Sequence, residues 1–90
     1  MGAVDAEAMA GLGEIASGNG MPDEAANFFR EAICLDPHRL SCYTSLARIL
    51  ATRRQYRQAE SVIRQAQAYF PHSEMLKLTR QGLHLAAAAS

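Results

Sequence analysis

The sequence predicts an all-α fold: a stack of antiparallel helix pairs, about five helices in a single domain over residues 1–90. Three observations lead there. Apolar and small residues recur at helical spacing, and no stretch alternates apolar with polar as a half-buried strand would. Glycine, asparagine and proline punctuate the chain between those stripes. The segments FFREAICLDPHRL and VIRQAQAYFPHSE each carry a Pro-His pair, and Pro37 and Pro71 hold the same place in the two segments.

The first helix is expected over 5–18, with Met9, Leu12, Gly13 and Ala16 on one side. SGNG at 17–20 closes it, because glycine and asparagine tolerate the left-handed conformation of a helix end. The second is expected over 22–35. Pro22 suits a first turn, and Asp23 and Glu24 favour the positive end of the helix. Its packing side is Ala25, Phe29, Ala32 and Ile33. Asp36-Pro37 stops it, since the residue before proline avoids helical angles. The third, over 39–53, has Tyr43, Leu46, Ala47 and Leu50. The fourth, over 56–69, has Ala59, Ile63 and Ala66 and ends at Phe70-Pro71. The fifth is expected over 73–88.

Composition narrows the class. Nearly half of the 90 residues are apolar, chiefly Ala, Leu, Ile and Met, with no Trp. That mix favours helix over strand. No apolar run approaches the roughly 20 residues that span a bilayer. MGAVDAEAMAG lacks the basic start and apolar centre of a secretion signal, so a cytoplasmic location is the default. Gly2 suggests myristoylation, but Ala6 stands where that motif wants Ser or Thr. Met1 and the alanine-rich tail read as the two ends of a chain.

The net charge is zero but unevenly distributed. Residues 1–37 hold seven carboxylates against Arg30 alone, and residues 38–90 hold eight cationic side chains against Glu60 and Glu74. Such asymmetry steers association even when the total is neutral.

Shifting the chain so that Pro37 falls on Pro71 places Met9 on Tyr43, Leu12 on Leu46, Gly13 on Ala47 and Ala16 on Leu50. It also places Ala25 on Ala59, Phe29 on Ile63 and Ala32 on Ala66. Apart from Ala16 with Leu50, small meets small, large meets large and proline meets proline. Equal sizes at a fixed period, here about 34 residues, predict equal packing roles in a stacked helical array.

With those residues the chain resembles the tetratricopeptide repeat family. The family's first helix carries a bulky residue, a Leu-Gly pair and an aromatic, and its second carries Ala, an aromatic, Ala and a closing proline. Met9, Leu12-Gly13, Ala16, Ala25, Phe29, Ala32 and Pro37 match, with Gly20 at the turn and AICLDP at the close. The second copy matches through Tyr43, Leu46-Ala47, Leu50, Tyr56, Ala59, Ile63, Ala66 and Pro71, with Arg54 in place of the turn glycine. The resemblance implies a right-handed α-solenoid with one repeat over about 6–39, a second over about 40–73 and a capping helix over about 74–88. Lys77, Arg80 and Gln81 fall where a third repeat would need packing residues. The last helix is therefore read as out of phase with the repeat, with Leu76 and Leu83 covering the fourth helix.

No catalytic constellation emerges. His38, His72 and His84 have no triad-like partners, and His38 and His72 read as turn residues after proline. GLGEIASGNG lacks the lysine and preceding strand of a phosphate loop. Cys34 and Cys42 read as buried or half-buried thiols; with His38 they leave a zinc shell incomplete. No cofactor or metal is expected. Arg53, Arg54 and Arg57 gather at one turn without interleaved aromatics, which argues against nucleic acid and for a solvated turn.

The resemblance instead implies a concave groove lined by the first helix of each repeat. Its expected lining is Glu7, Ala10, Glu14 and Ser17, then Ser41, Thr44, Arg48 and Thr52, extended by Met75 and Leu78. Such a wall suits an extended or helical peptide. Members that clamp acidic chaperone tails use Lys and Asn there. The matching places here are Ala10, Glu14, Ser45, Met75 and Thr79, so binding of such a tail is not expected.

The expected function is a non-catalytic protein–protein interaction module, adaptor or chaperone-like, that binds a partner peptide or helix. Two repeats lie below the usual minimum of about three for a stable stack, which favours extra burial against a partner. Two alternatives are self-assembly by head-to-tail contacts, giving a homo-oligomer, and a regulatory repeat segment of a larger enzyme.

Overall fold

The computed structural model describes residues 5–89. Gly2, and with it the myristoylation reading, lies outside them. Five helices follow one another: α1 (Ala6–Gly18), α2 (Pro22–Leu35), α3 (Leu40–Thr52), α4 (Tyr56–Tyr69) and α5 (Glu74–Ala89). Each begins and ends within one residue of its sequence-based expectation. There is no strand among the described residues.

Local chemistry explains the ends. The Asp5 carboxylate accepts a hydrogen bond from the Ala8 amide at 2.8 Å, capping α1. Pro22 opens α2, where its missing N–H costs nothing. Ser73 Oγ accepts from the Leu76 amide at 3.3 Å at the start of α5. The exits of α1 and α3 are the same structure at equivalent places in the two copies. Gly20 N–H donates to the Ser17 carbonyl and Met21 N–H to the Ala16 carbonyl; Arg54 and Gln55 repeat this with Ala51 and Leu50. These paired bonds are the Schellman closure, which needs a left-handed residue just past the helix. Gly20 supplies it at φ +73°, and Arg54 adopts it at φ +61° despite its side chain. The helix exits before Pro37 and Pro71 also match: Asp36 N–H donates to the Ala32 carbonyl and Phe70 N–H to the Ala66 carbonyl, both at 2.9 Å.

The helices stack in order, α1 on α2, α2 on α3, α3 on α4 and α4 on α5, and α3 also touches α5 directly. Thus α3 and α5 lie side by side, with α4 packed against both. The core runs through the stack and centres on α3, which buries Cys42, Tyr43, Leu46, Ala47, Ile49 and Leu50. Each fully buried Leu or Ile contributes about 1.5–3 kcal/mol relative to leaving it in water. Where α1 meets α2, Gly13 lets the helices close on Phe29, whose ring atoms lie 3.0 Å from where a Cβ at Gly13 would stand.

The two proline turns are tied together. Tyr43, with no exposed surface, donates its hydroxyl to the Pro37 carbonyl at 2.8 Å and meets the Phe70 ring edge-on at 6.4 Å. His38, expected as a plain turn residue, sets its ring edge-on against Tyr69 at 4.9 Å while staying largely exposed. The side chains that end the first repeat therefore reach those that end the second.

Three expectations are corrected. Leu12 was expected to pack as Leu46 does, yet it is 41% exposed and Leu46 2%. The reason is position: α3 has α2 lying on that flank, and α1 has no such neighbour among the described residues. Cys42 is buried as expected, but Cys34 is exposed. Finally, α5 is in phase with the repeat on one flank. Its buried Leu76 and Leu83 stand one repeat period after the buried Cys42 and Ile49. The polar positions Lys77 and Gln81 match Tyr43 and Ala47, which in α3 are buried. No helix follows α5 among the described residues, so the flank of Lys77 and Gln81 stays wet and polar.

Candidate functional site

Where α3 and α5 run side by side they leave a groove of about 560 Å³. Small residues create it. Ala47 and Ala51 on α3 face Gly82 and Ala86 on α5, each pair one helical turn apart, and Leu83 closes the floor. Threonines supply most of the polar lining, but all three of their hydroxyls are already engaged, that of Thr44 by donation to the Ser41 carbonyl at 3.1 Å. Thr52 Oγ1 donates to the Arg48 carbonyl at 2.9 Å and Thr79 Oγ1 to the Met75 carbonyl at 2.7 Å. Arg48 is the one ionisable side chain in this lining, and it is exposed. The groove is therefore mostly apolar and small-walled, with one cation at its rim.

Four of the ten expected residues meet here: Thr44, Arg48, Thr52 and Met75. Glu7, Glu14, Ser17 and Ser41 are exposed on α1 and α3 but line no part of this groove. Leu78 is 62% exposed on the outer side of α5. Ala10 is a correction: it is 8% exposed and belongs to the core, because the inner side of α1 closes onto its neighbours there. The small residues Ala47, Ala51, Gly82 and Ala86 were missed as lining. Their signal was present, since two helices each with small residues four apart can approach while leaving a channel above them.

Elsewhere the ionisable groups serve the stack. Glu60 on α4 lies 3.1 Å from His84 Nε2 on α5, with Arg80 of α5 at 3.7 Å and Arg64 at 3.6 Å. The hydrogen bond with His84, and the charges of His84, Arg80 and Arg64, hold its carboxyl below the ordinary carboxylate value, while partial burial opposes them. Arg53 pairs with Asp23 at 3.4 Å, joining the end of α3 to the start of α2. Burial pushes the Cys42 thiol upward, against the opposing pull of Arg39. Among the described residues no group of three or more His, Cys, Asp or Glu could hold a metal ion. No helix among them is long and apolar enough to cross a membrane.

The repeated Schellman turns, the shared register of buried side chains and the sequential packing of the helices all describe one kind of unit. A family model for the tetratricopeptide repeat matches residues 16–82 of this chain. The chain belongs to the tetratricopeptide repeat family. Two tetratricopeptide units, α1–α2 and α3–α4, and a following helix account for all five helices. Tetratricopeptide repeats mediate protein–protein interaction. Comparison with curated proteins and with solved structures gives no match for this chain.

Proposed function

We propose that the chain is a non-catalytic interaction module, adaptor or chaperone-like, that holds a peptide or helix of a partner protein in the α3–α5 groove. The supporting observation is the groove itself: a floor of Ala47, Ala51, Gly82 and Leu83 with Arg48 at the rim. Shallow apolar channels with a single charge suit a segment that presents small or apolar side chains to the floor and a carboxylate to the guanidinium. Arg48 sets register and orientation, and the floor supplies most of the affinity. Of the expected groove residues outside this channel, Glu7, Glu14, Ser17 and Ser41 would border the route of a longer partner.

The test is selection of peptides from a displayed random library, followed by titration against two variants. A Cβ at Gly82 meets nothing within 4 Å, so Gly82→Trp fills the channel without pressing on the core. Arg48→Glu reverses the rim charge. Selected peptides are expected to carry a carboxylate and to lose about tenfold or more in affinity, at least about 1.4 kcal/mol, with either variant. Failure to select any peptide, or binding indifferent to both substitutions, would sink the proposal.

A further inference from the structure

Positions 8, 12 and 15 of α1 repeat at 42, 46 and 49 of α3 and at 76, 80 and 83 of α5. On α3 they are Cys42, Leu46 and Ile49, exposed by 0, 2 and 8% beneath α2. On α5, Leu76 and Leu83 bury against the rest of the stack and Arg80 pairs with Glu60 of α4. On α1 they are Ala8, Leu12 and Ile15. Ala8 is exposed, Leu12 is 41% exposed and Ile15 62%. Among the described residues the same helix flank is thus covered twice and bare once. The far end of the stack is finished differently. The flank of α5 that would meet a following helix is polar, at Lys77 and Gln81, but its outermost stripe holds Leu78 and Leu85, 62% and 73% exposed, with Glu74 one turn before Leu78.

Charge separates the two ends. On and around α1 and α2, Asp5, Glu7, Glu14, Asp23, Glu24, Glu31 and Asp36 outnumber the single cationic residue Arg30. On α4 and α5, Arg57, Arg64, Lys77 and Arg80 outnumber Glu60 and Glu74. Glu7 and Glu14 run alongside the bare stripe of α1, so two α1 helices brought face to face would oppose like charges. An α1 stripe set against α5 of another copy brings acid to base and covers apolar side chains on both helices.

We propose that the Ala8–Leu12–Ile15 stripe of α1 docks on the Leu78–Leu85 stripe of α5 in a second copy of this chain, head to tail. The contact is heterologous: each copy offers one of each surface, so the assembly grows as a chain or closes as a ring. It is separate from the α3–α5 groove and does not depend on it.

Sedimentation and light scattering of purified chain against concentration and salt test the proposal. The wild-type mass is expected to rise above that of one chain with concentration and to fall back as salt screens the charges. Ile15→Glu and Leu85→Glu each block one end at an exposed position, with circular dichroism confirming that helix content is kept. Each variant alone is expected to be monomeric. An equimolar mixture is expected to form a species of two chains and no larger one, because each variant retains the end that the other has lost. A monomeric wild-type chain at every concentration would overturn the proposal and leave the α1 face to a basic helix of another protein. A mixture that stays monomeric, a Leu85→Glu variant that associates like the wild type, or association that strengthens with salt would overturn it too.

Discussion

The ring of Phe29 fills the space in which any side chain at Gly13 would stand. Its Cε1 and Cζ lie 3.0 Å from that Cβ position, and Phe29 is itself 3% exposed and confined by the core. One repeat later the same two positions hold Ala47 and Ile63, a larger residue where the first copy has glycine and a smaller one where it has phenylalanine. The two copies thus divide a similar volume differently.

Gly13→Ala therefore sets two effects against each other. Alanine gains up to about 1 kcal/mol of helix propensity, and overpacking costs about 1–3 kcal/mol. Because Phe29 has little room to retreat, a net loss of about 1 kcal/mol is expected in urea unfolding. In a Phe29→Ile background the same substitution is expected to change sign and stabilise. A cost that is equal in both backgrounds would show that the ring is not the obstacle.

The left-handed turns offer a second pair of opposite signs. Arg54 carries at φ +61° a conformation that glycine adopts freely. Arg54→Gly is expected to stabilise by about 0.5 kcal/mol, relief of strain being offset in part by the greater freedom of the unfolded chain. Gly20→Ala, at φ +73°, is expected to destabilise by about 1 kcal/mol. Thermal melting of both variants checks this, and a destabilising Arg54→Gly would contradict it.

Acid sensitivity should centre on Glu60. Its carboxyl is held below the ordinary value of 4.5, chiefly by the hydrogen bond with His84, so the folded state binds the proton less readily than the unfolded chain. Its contribution is complete above that ordinary value and disappears as pH falls through the lower folded value. Glu60→Gln is expected to flatten the stability profile below about pH 4.5 and to free α5 from α4 more readily. Hydrogen exchange along α5 at neutral pH reports the second effect; unchanged protection there would remove Glu60 as a tie between the helices.

The two thiols should separate cleanly. Cys34 is exposed, whereas Cys42 has no exposed surface and its pKa is raised by burial. Titration with a disulfide reagent is expected to modify one thiol rapidly in the native chain and the second only on unfolding. Fast modification of both would mean that α3 opens far more easily than its packing implies.

Spacing alone carried the helices. Breakers at SGNG, Asp36-Pro37 and Phe70-Pro71 act through backbone angles within a few residues, so they could be read locally. The register that lays Pro37 on Pro71 carried the stacking, because small and large residues at equal intervals must meet equal partners wherever a neighbour is present. That condition explains each miss. Leu12 and Leu46 are the same residue in the same register, and only the helix lying on α3 makes one buried and the other bare. Ala10 looked free because alanine suits surface and core alike. In α5, the flank toward α4 kept the repeat and the flank toward solvent abandoned it, which one-dimensional matching read as a lost phase. The groove, too, is a property of two helices separated by the whole of α4 in the chain. Burial depends on which neighbour arrives, and the arrival of a neighbour is a long-range event that periodicity predicts only inside the stack, never at its ends.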